Sequence, residues 1–248
     1  MNPRTRILVL ATLSLITSLL FVGFPVAGGR ASGNGGTDAE TADYLTAPEK
    51  ALVREINLLR SNPQGYIQYL EQAKKYYKGK DYIMPGQPVL TTVEGVSAVD
   101  EAIAFLRSAK ALSSYSLSKG MCLAAKDHVK DLGGTGSTGH KGTDGSTTEM
   151  RVNRYGNFSN GIGENIFYEN ESPREVVVSW LIDDGVASRG HRRNLLSNSY
   201  RVLGVSVGER NSYGSMCVLT FAGNYAEGAG KAQPAGAPVN GKAAARKL

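Results

Sequence analysis

Two of the chain's three histidines, His140 and His191, each follow a glycine, and Glu164 and the pair Asp183-Asp184 lie between them. Neutral imidazole is the commonest side-chain ligand for zinc-like ions, and a nearby carboxylate can ligate the metal or orient the ring. The same groups could instead move protons, with Glu164 or His191 acting as acid or base on a bound substrate. Either chemistry requires that residues distant in sequence meet in one cleft.

His140 stands in GHKGTDGST, a stretch rich in Gly, Ser and Thr that reads as a loop, and binding residues concentrate on loops held by a rigid scaffold. Ser118 to Leu132, just before it, has helical spacing and ends at Gly133-Gly134, a stop signal. A short helical turn is expected around Thr148 to Tyr155. Gly163 to Tyr168 should be a strand with Glu164 at its start. Ser172-Pro-Arg-Glu175 is a capping box opening a helix that buries Val176, Val177, Trp180 and Leu181. That helix ends at Asp183-Asp184-Gly185, where carboxylates oppose the helix dipole and need a cation such as a metal ion, protonated His191, Arg189 or Arg192.

Upstream, Thr46-Ala-Pro-Glu49 is a second capping box, followed by Leu52, Ile56 and Leu59 at helical spacing. Pro63 starts another helix, Lys78 to Thr92 reads as a loop, and Ser97 to Lys110 returns to helix. Downstream, Arg201 to Val207 and Ser215 to Tyr225 should pair as an antiparallel hairpin. Helices first and strands late is an α+β order. His128 lies on the apolar face of the helix before the His140 loop, as a core residue rather than a ligand.

GHKGTDGS, GENIFY, DDGVASRGHRRNLL and MCVLTFAGNY, in that order, resemble the CAP superfamily of cysteine-rich secretory, antigen 5 and pathogenesis-related proteins, in particular its bacterial SCP-like branch. The resemblance runs from about Leu45 to Tyr225. It implies a three-layer α/β/α sandwich with a mainly antiparallel sheet. It also implies one cleft lined by His140, Glu164, a second acid at Asp183 or Asp184, and His191. Animal members have glutamate where this chain offers aspartate.

The remaining sequence bounds the function. Arg4 and Arg6 precede an apolar run from Ile7 to about Val26, a signal-peptide pattern with cleavage expected after Ala27 or after Ala31; left uncleaved, the run would tether the chain to a membrane. Residues 1–27 are therefore expected to be a signal peptide, 28–42 a flexible linker, 43–225 the CAP/SCP-like domain and 226–248 a disordered tail. A secreted, periplasmic or cell-envelope location follows. The net charge of +6 sits partly in the leader and tail, with no basic face interleaved with aromatics to suggest nucleic acid.

Cys122 and Cys217, the only cysteines, form an even pair that an exported protein could bridge, worth roughly 4–5 kcal/mol on the loop-entropy account. Sequons stand at Asn157 and Asn170. No G-x-S-x-G or H-E-x-x-H is present, and the dinucleotide-like string from Gly134 to Gly139 follows a helix where a strand is required. The expected function is a monomeric binding module in which His140 and His191 hold zinc or another divalent cation beside a lipid, glycan or protein ligand. The alternative is a metal-assisted hydrolase or protease using the same cleft.

Overall fold

The computed structural model describes residues 37–169, 171–210 and 214–228. The expected signal peptide, most of the expected linker, Asn170, residues 211–213 and all but the first residues of the expected tail lie outside them.

Local signals set the helix starts. The Thr46 backbone N–H donates to Glu49 Oε2 at 2.7 Å, which opens α2 (Ala47–Ser61). The Asn62 side chain accepts the Gly65 N–H and opens α3 (Pro63–Lys74). Ser118 caps α5 (Lys119–Thr135) through the Met121 N–H at 3.0 Å. Ser172 and Glu175 exchange bonds at the start of α7 (Pro173–Ile182), as the capping box requires. The remaining helices are α1 (Thr37–Thr41), α4 (Val96–Ser108), α6 (Thr148–Val152) and α8 (Gly190–Leu195).

Three local expectations are corrected. The end of the expected linker forms α1, because Ala39 and Ala42 find apolar contacts and Glu40 pairs with Arg54. Gly133-Gly134 continues α5, which stops at Gly136, the residue that takes the left-handed conformation. The loop from Lys78 to Thr92 contains β1 (Tyr77–Lys78), β2 (Asp81–Tyr82) and β3 (Leu90–Thr91), paired antiparallel around the Tyr76, Tyr77 and Tyr82 rings.

The main sheet joins β4 (Ser116–Leu117), β5 (Gly156–Tyr168), β6 (Val202–Glu209) and β7 (Ser215–Glu227) in the order β4-β6-β7-β5. Only the β4–β6 pair is parallel, and β6 and β7 form the expected hairpin. The protein is thus an α+β sandwich of three layers. One face carries Leu203, Val205, Leu219 and Phe221, buried against α2 and α7 with α3 and α4 behind. The other carries Met216, Val218 and Ala222 against Met121, Ala125, Val129 and Leu132 of α5. A Cβ on Gly204 would lie 2.3 Å from the Met121 carbonyl carbon, so α5 rests directly on the sheet only because that position is glycine. Burying each large apolar side chain in these layers contributes about 1.5–3 kcal/mol, which is what makes the sheet a rigid platform. Among the described residues no helix is long and apolar enough to cross a membrane.

The expected Cys122–Cys217 bridge is not formed. Both residues are buried free thiols, and Cys122 Sγ instead accepts the Val205 N–H at 3.3 Å. Packing inside an apolar layer satisfies them without a covalent link.

Candidate functional site

The site is assembled on β5, an edge strand of the sheet. Consecutive residues of a strand leave it on opposite faces. Glu164 pairs across from Thr220, whose hydroxyl donates to the Met121 carbonyl, and so faces α5. Asn165, opposite Leu219, faces the α2–α7 layer. Each of the two expected histidines is anchored to one of these neighbours, from opposite layers of the sandwich.

On the α5 side, His140 Nδ1 lies 2.8 Å from Glu164 Oε1. The other carboxylate oxygen takes Arg151 Nη2 at 2.7 Å. Glu164 is only 3% exposed in its side chain, whereas His140 is 57% exposed. Arg151, buried on α6, also binds the His140 and Ser146 carbonyls through Nη1 at 3.1 and 3.0 Å. It thereby closes the ends of the His140 loop onto the carboxylate. Burial pushes the Glu164 carboxyl up, but the His140 hydrogen bond and the charge and hydrogen bond of Arg151 outweigh it and hold the group below the ordinary glutamate value. Glu164 is consequently a committed anion and a weak base, which suits orienting an imidazole better than abstracting protons.

On the opposite side, His191 lies in the first turn of α8, and its Nδ1 lies 2.6 Å from Asp183 Oδ1. Asp183 caps α7 in a left-handed conformation (φ 54°) and also accepts the His191 N–H at 2.9 Å. Asp184 turns elsewhere: its carboxylate accepts the N–H groups of Val93, Glu94 and Gly95 and holds the entry to α4. Asp183 is therefore the acid that meets a histidine, and Asp184 is a loop anchor. The dipole conflict at the end of α7 is relieved by two arginines. Arg192 donates to the Leu181 and Ile182 carbonyls, and Arg189 to that of Asp183. Both are in turn held by Glu101, and Arg189 also by Glu94, whose carboxyl the Arg189 hydrogen bonds lower to about 2.

The halves are coupled through asparagines. Asn165 donates to the His191 carbonyl at 3.1 Å and accepts from Asn194 at 2.9 Å. In both histidines the nitrogen facing a carboxylate is Nδ1, so the proton is assigned there and Nε2 carries the free lone pair. This is the arrangement seen when a carboxylate prepares a histidine for a metal. Among the described residues no group of three or more His, Cys, Asp or Glu side chains is arranged to hold an ion.

A depression of about 370 Å³ lies beside Arg151, lined in part by Asp127, Asp131, Asp144 and Arg154, and neither histidine reaches it. Its carboxylates are already engaged: Asp127 by Arg154 and Tyr155, Asp131 by Thr143, and Asp144 by Ser146 and Arg154. The histidine site is chemically the better candidate, because each ring meets a carboxylate through Nδ1 and leaves Nε2 to face a ligand.

The profile of the cysteine-rich secretory protein (CAP) family matches residues 101–225. This chain belongs to the CAP family. The match opens within α4, so the helices that cover the sheet ahead of it lie outside the profile. Among solved structures, the CAP protein described here is similar to an outer surface protein of Borrelia burgdorferi at 20% identity, covering 44% of this chain and 76% of that one with a TM-score of 0.38. An extracellular SCP-domain protein from Bacillus anthracis shows 21% identity over 51% of this chain, which spans 37% of that one, with a TM-score of 0.36. The CAP domain of enterococcal PrgA shows 18% identity, covering 75% of this chain and 82% of that one with a TM-score of 0.32. No curated protein matches the chain.

Sequence reasoning missed Arg151, Asn165 and Asn194. Asn165 follows Glu164 in GENIFY and Asn194 follows His191 in GHRRN, so the motifs contained them. Arg151 carried no such flag, since a buried arginine reads as a surface residue of a short helix.

Proposed function

We propose that this CAP-family protein is an exported binding module in which His140 and His191 present Nε2 to a divalent cation, zinc being the ion best suited to imidazole donors. The observation that carries the reading is the pairing of each Nδ1 with a buried carboxylate, Glu164 at 2.8 Å and Asp183 at 2.6 Å. Two protein ligands are few for zinc, so binding is weak and pH-dependent, and the remaining positions are open to water or to a polar group of a lipid, glycan or protein ligand. Export is supported by the charged and apolar leader from Arg4 to Val26, which directs the chain to the envelope or beyond it.

Titration calorimetry with zinc on the wild type and on the His140→Ala/His191→Ala double variant tests the cation. Equal heats end the idea. For the ligand, the mature chain is exposed to envelope extract, and mass spectrometry identifies what is retained and what is cleaved. Retention of a lipid or glycan supports the binding module. Cleavage that disappears in the double variant replaces it with a hydrolase.

A further inference from the structure

His128 was expected to be a core residue, and it is fully buried on α5. Its surroundings give it a second role. Its Nε2 lies 2.9 Å from the carbonyl oxygen of Gly139, the residue immediately before His140. The N–H of Gly139 donates to the Tyr168 hydroxyl at 2.6 Å. Gly139 itself stands at φ 110°, open to glycine and strained for other residues. The peptide groups that deliver His140 are thus held on both sides of one residue that needs to be glycine.

We propose that His128 and Tyr168 are positioning residues for His140: His128, as the neutral Nε2–H tautomer, fixes the Gly139 carbonyl, Tyr168 fixes its amide, and the imidazole that follows is set against Glu164. A carbonyl accepts only from a protonated nitrogen, which assigns the Nε2–H form. Its Nδ1 is buried with no hydrogen-bond partner among the described residues, so a second proton there would be an unsatisfied donor on a buried cation. Burial first, and then the positive charge of Arg151, hold His128 below the ordinary imidazole value against the opposing pull of Glu164, the Gly139 carbonyl and Asp131. The ring is therefore a permanent donor across the neutral range. Arg151 secures the His140 carbonyl at 3.1 Å, so the constraint continues on the far side of the residue. The inference rests on the reading that His140 is a working group of the site.

With three histidines in the chain, ring nitrogen–proton correlation spectra at pH 8 resolve each imidazole and report which nitrogen is protonated. The wild type is expected to show His128 as Nε2–H and His140 as Nδ1–H. His128→Phe keeps the ring volume and removes the donor. It should turn His140 into a mixture of tautomers and weaken zinc binding by about 10-fold or more. His128→Gln, whose side-chain amide can reach the same carbonyl, should restore both. A folded His128→Phe protein that keeps His140 wholly as Nδ1–H overturns the proposal. Should His128→Phe fail to fold, Tyr168→Phe is read in the same way: mixed tautomers at His140 support the clamp, and the wild-type pattern overturns it. The spectra need no metal, so absence of zinc binding by the wild type sinks the cation reading and leaves this test standing.

Discussion

Asp183 grips His191 twice, taking the ring Nδ1 at 2.6 Å through one carboxylate oxygen and the backbone N–H at 2.9 Å through the other. One side chain therefore fixes both the imidazole and the first turn of the helix that carries it. Its neighbour Asp184 makes three backbone bonds around Glu94 instead. The two adjacent acids differ in function because the left-handed turn at Asp183 sends successive side chains in different directions.

Asp183→Asn and Asp184→Asn should accordingly separate. The first is expected to lower zinc affinity by about 10-fold to 100-fold, as loss of a carboxylate behind a metal-binding histidine does. The second is expected to leave zinc affinity unchanged and to cost about 1 kcal/mol of stability, as loss of a helix cap does. Calorimetry and urea melts on the two variants check this, and equal zinc affinities would contradict the assignment of Asp183.

Glu164→Gln leaves the buried Arg151 guanidinium without its counter-charge and should cost about 3 kcal/mol. The pH dependence has a definite sign. The folded carboxyl lies below its ordinary value, so the unfolded chain takes up the proton first. The stability Glu164 contributes is complete above about pH 5 and is lost as the pH falls through the ordinary value near 4.3 toward the folded one. Urea midpoints from pH 7 to pH 3 should fall more steeply for the wild type than for the variant.

Glu169 behaves in the opposite way. Burial, and then repulsion from Glu171, raise its carboxyl to about 7, and its Oε2 has no hydrogen-bond partner among the described residues. The folded state holds this proton more tightly, so stability is gained on acidification from above pH 7 to about 4.5 and is diminished at higher pH. Glu169→Gln should raise stability at pH 8 by roughly 1–3 kcal/mol and remove that part of the slope. An unchanged urea midpoint at pH 8 would refute it.

Cys122 and Cys217 should react as two thiols per chain only after unfolding. Burial raises both, Cys122 to about 12, so the reactive thiolate is scarce in the folded protein. A thiol reagent applied at pH 7.5 before and after denaturation without reductant counts them. Zero thiols in the denatured chain would mean that a bridge forms.

The sequence by itself determined the elements whose signals are local. Thr46 with Glu49, Ser118, and Ser172 with Glu175 open helices where their side chains meet the first backbone N–H groups. The two strand-like runs from Arg201 and from Ser215 marked the hairpin, and the order of motifs around His140, Glu164 and His191 pointed to the family. Tertiary structure decided what depends on partners remote in the chain. His128 was expected on a buried face from periodicity, but only packing showed that it reaches Gly139. The acid of the Asp183-Asp184 pair that serves His191 was fixed by a backbone turn, which neither residue type encodes. Arg151 became the centre of the His140 half because α6 lies against β5, where one guanidinium can reach a carboxylate and two carbonyls at once. Cys122 and Cys217 are free thiols: composition and compartment make a bridge possible, whereas the backbone positions of α5 and β7 decide whether two sulfurs bond.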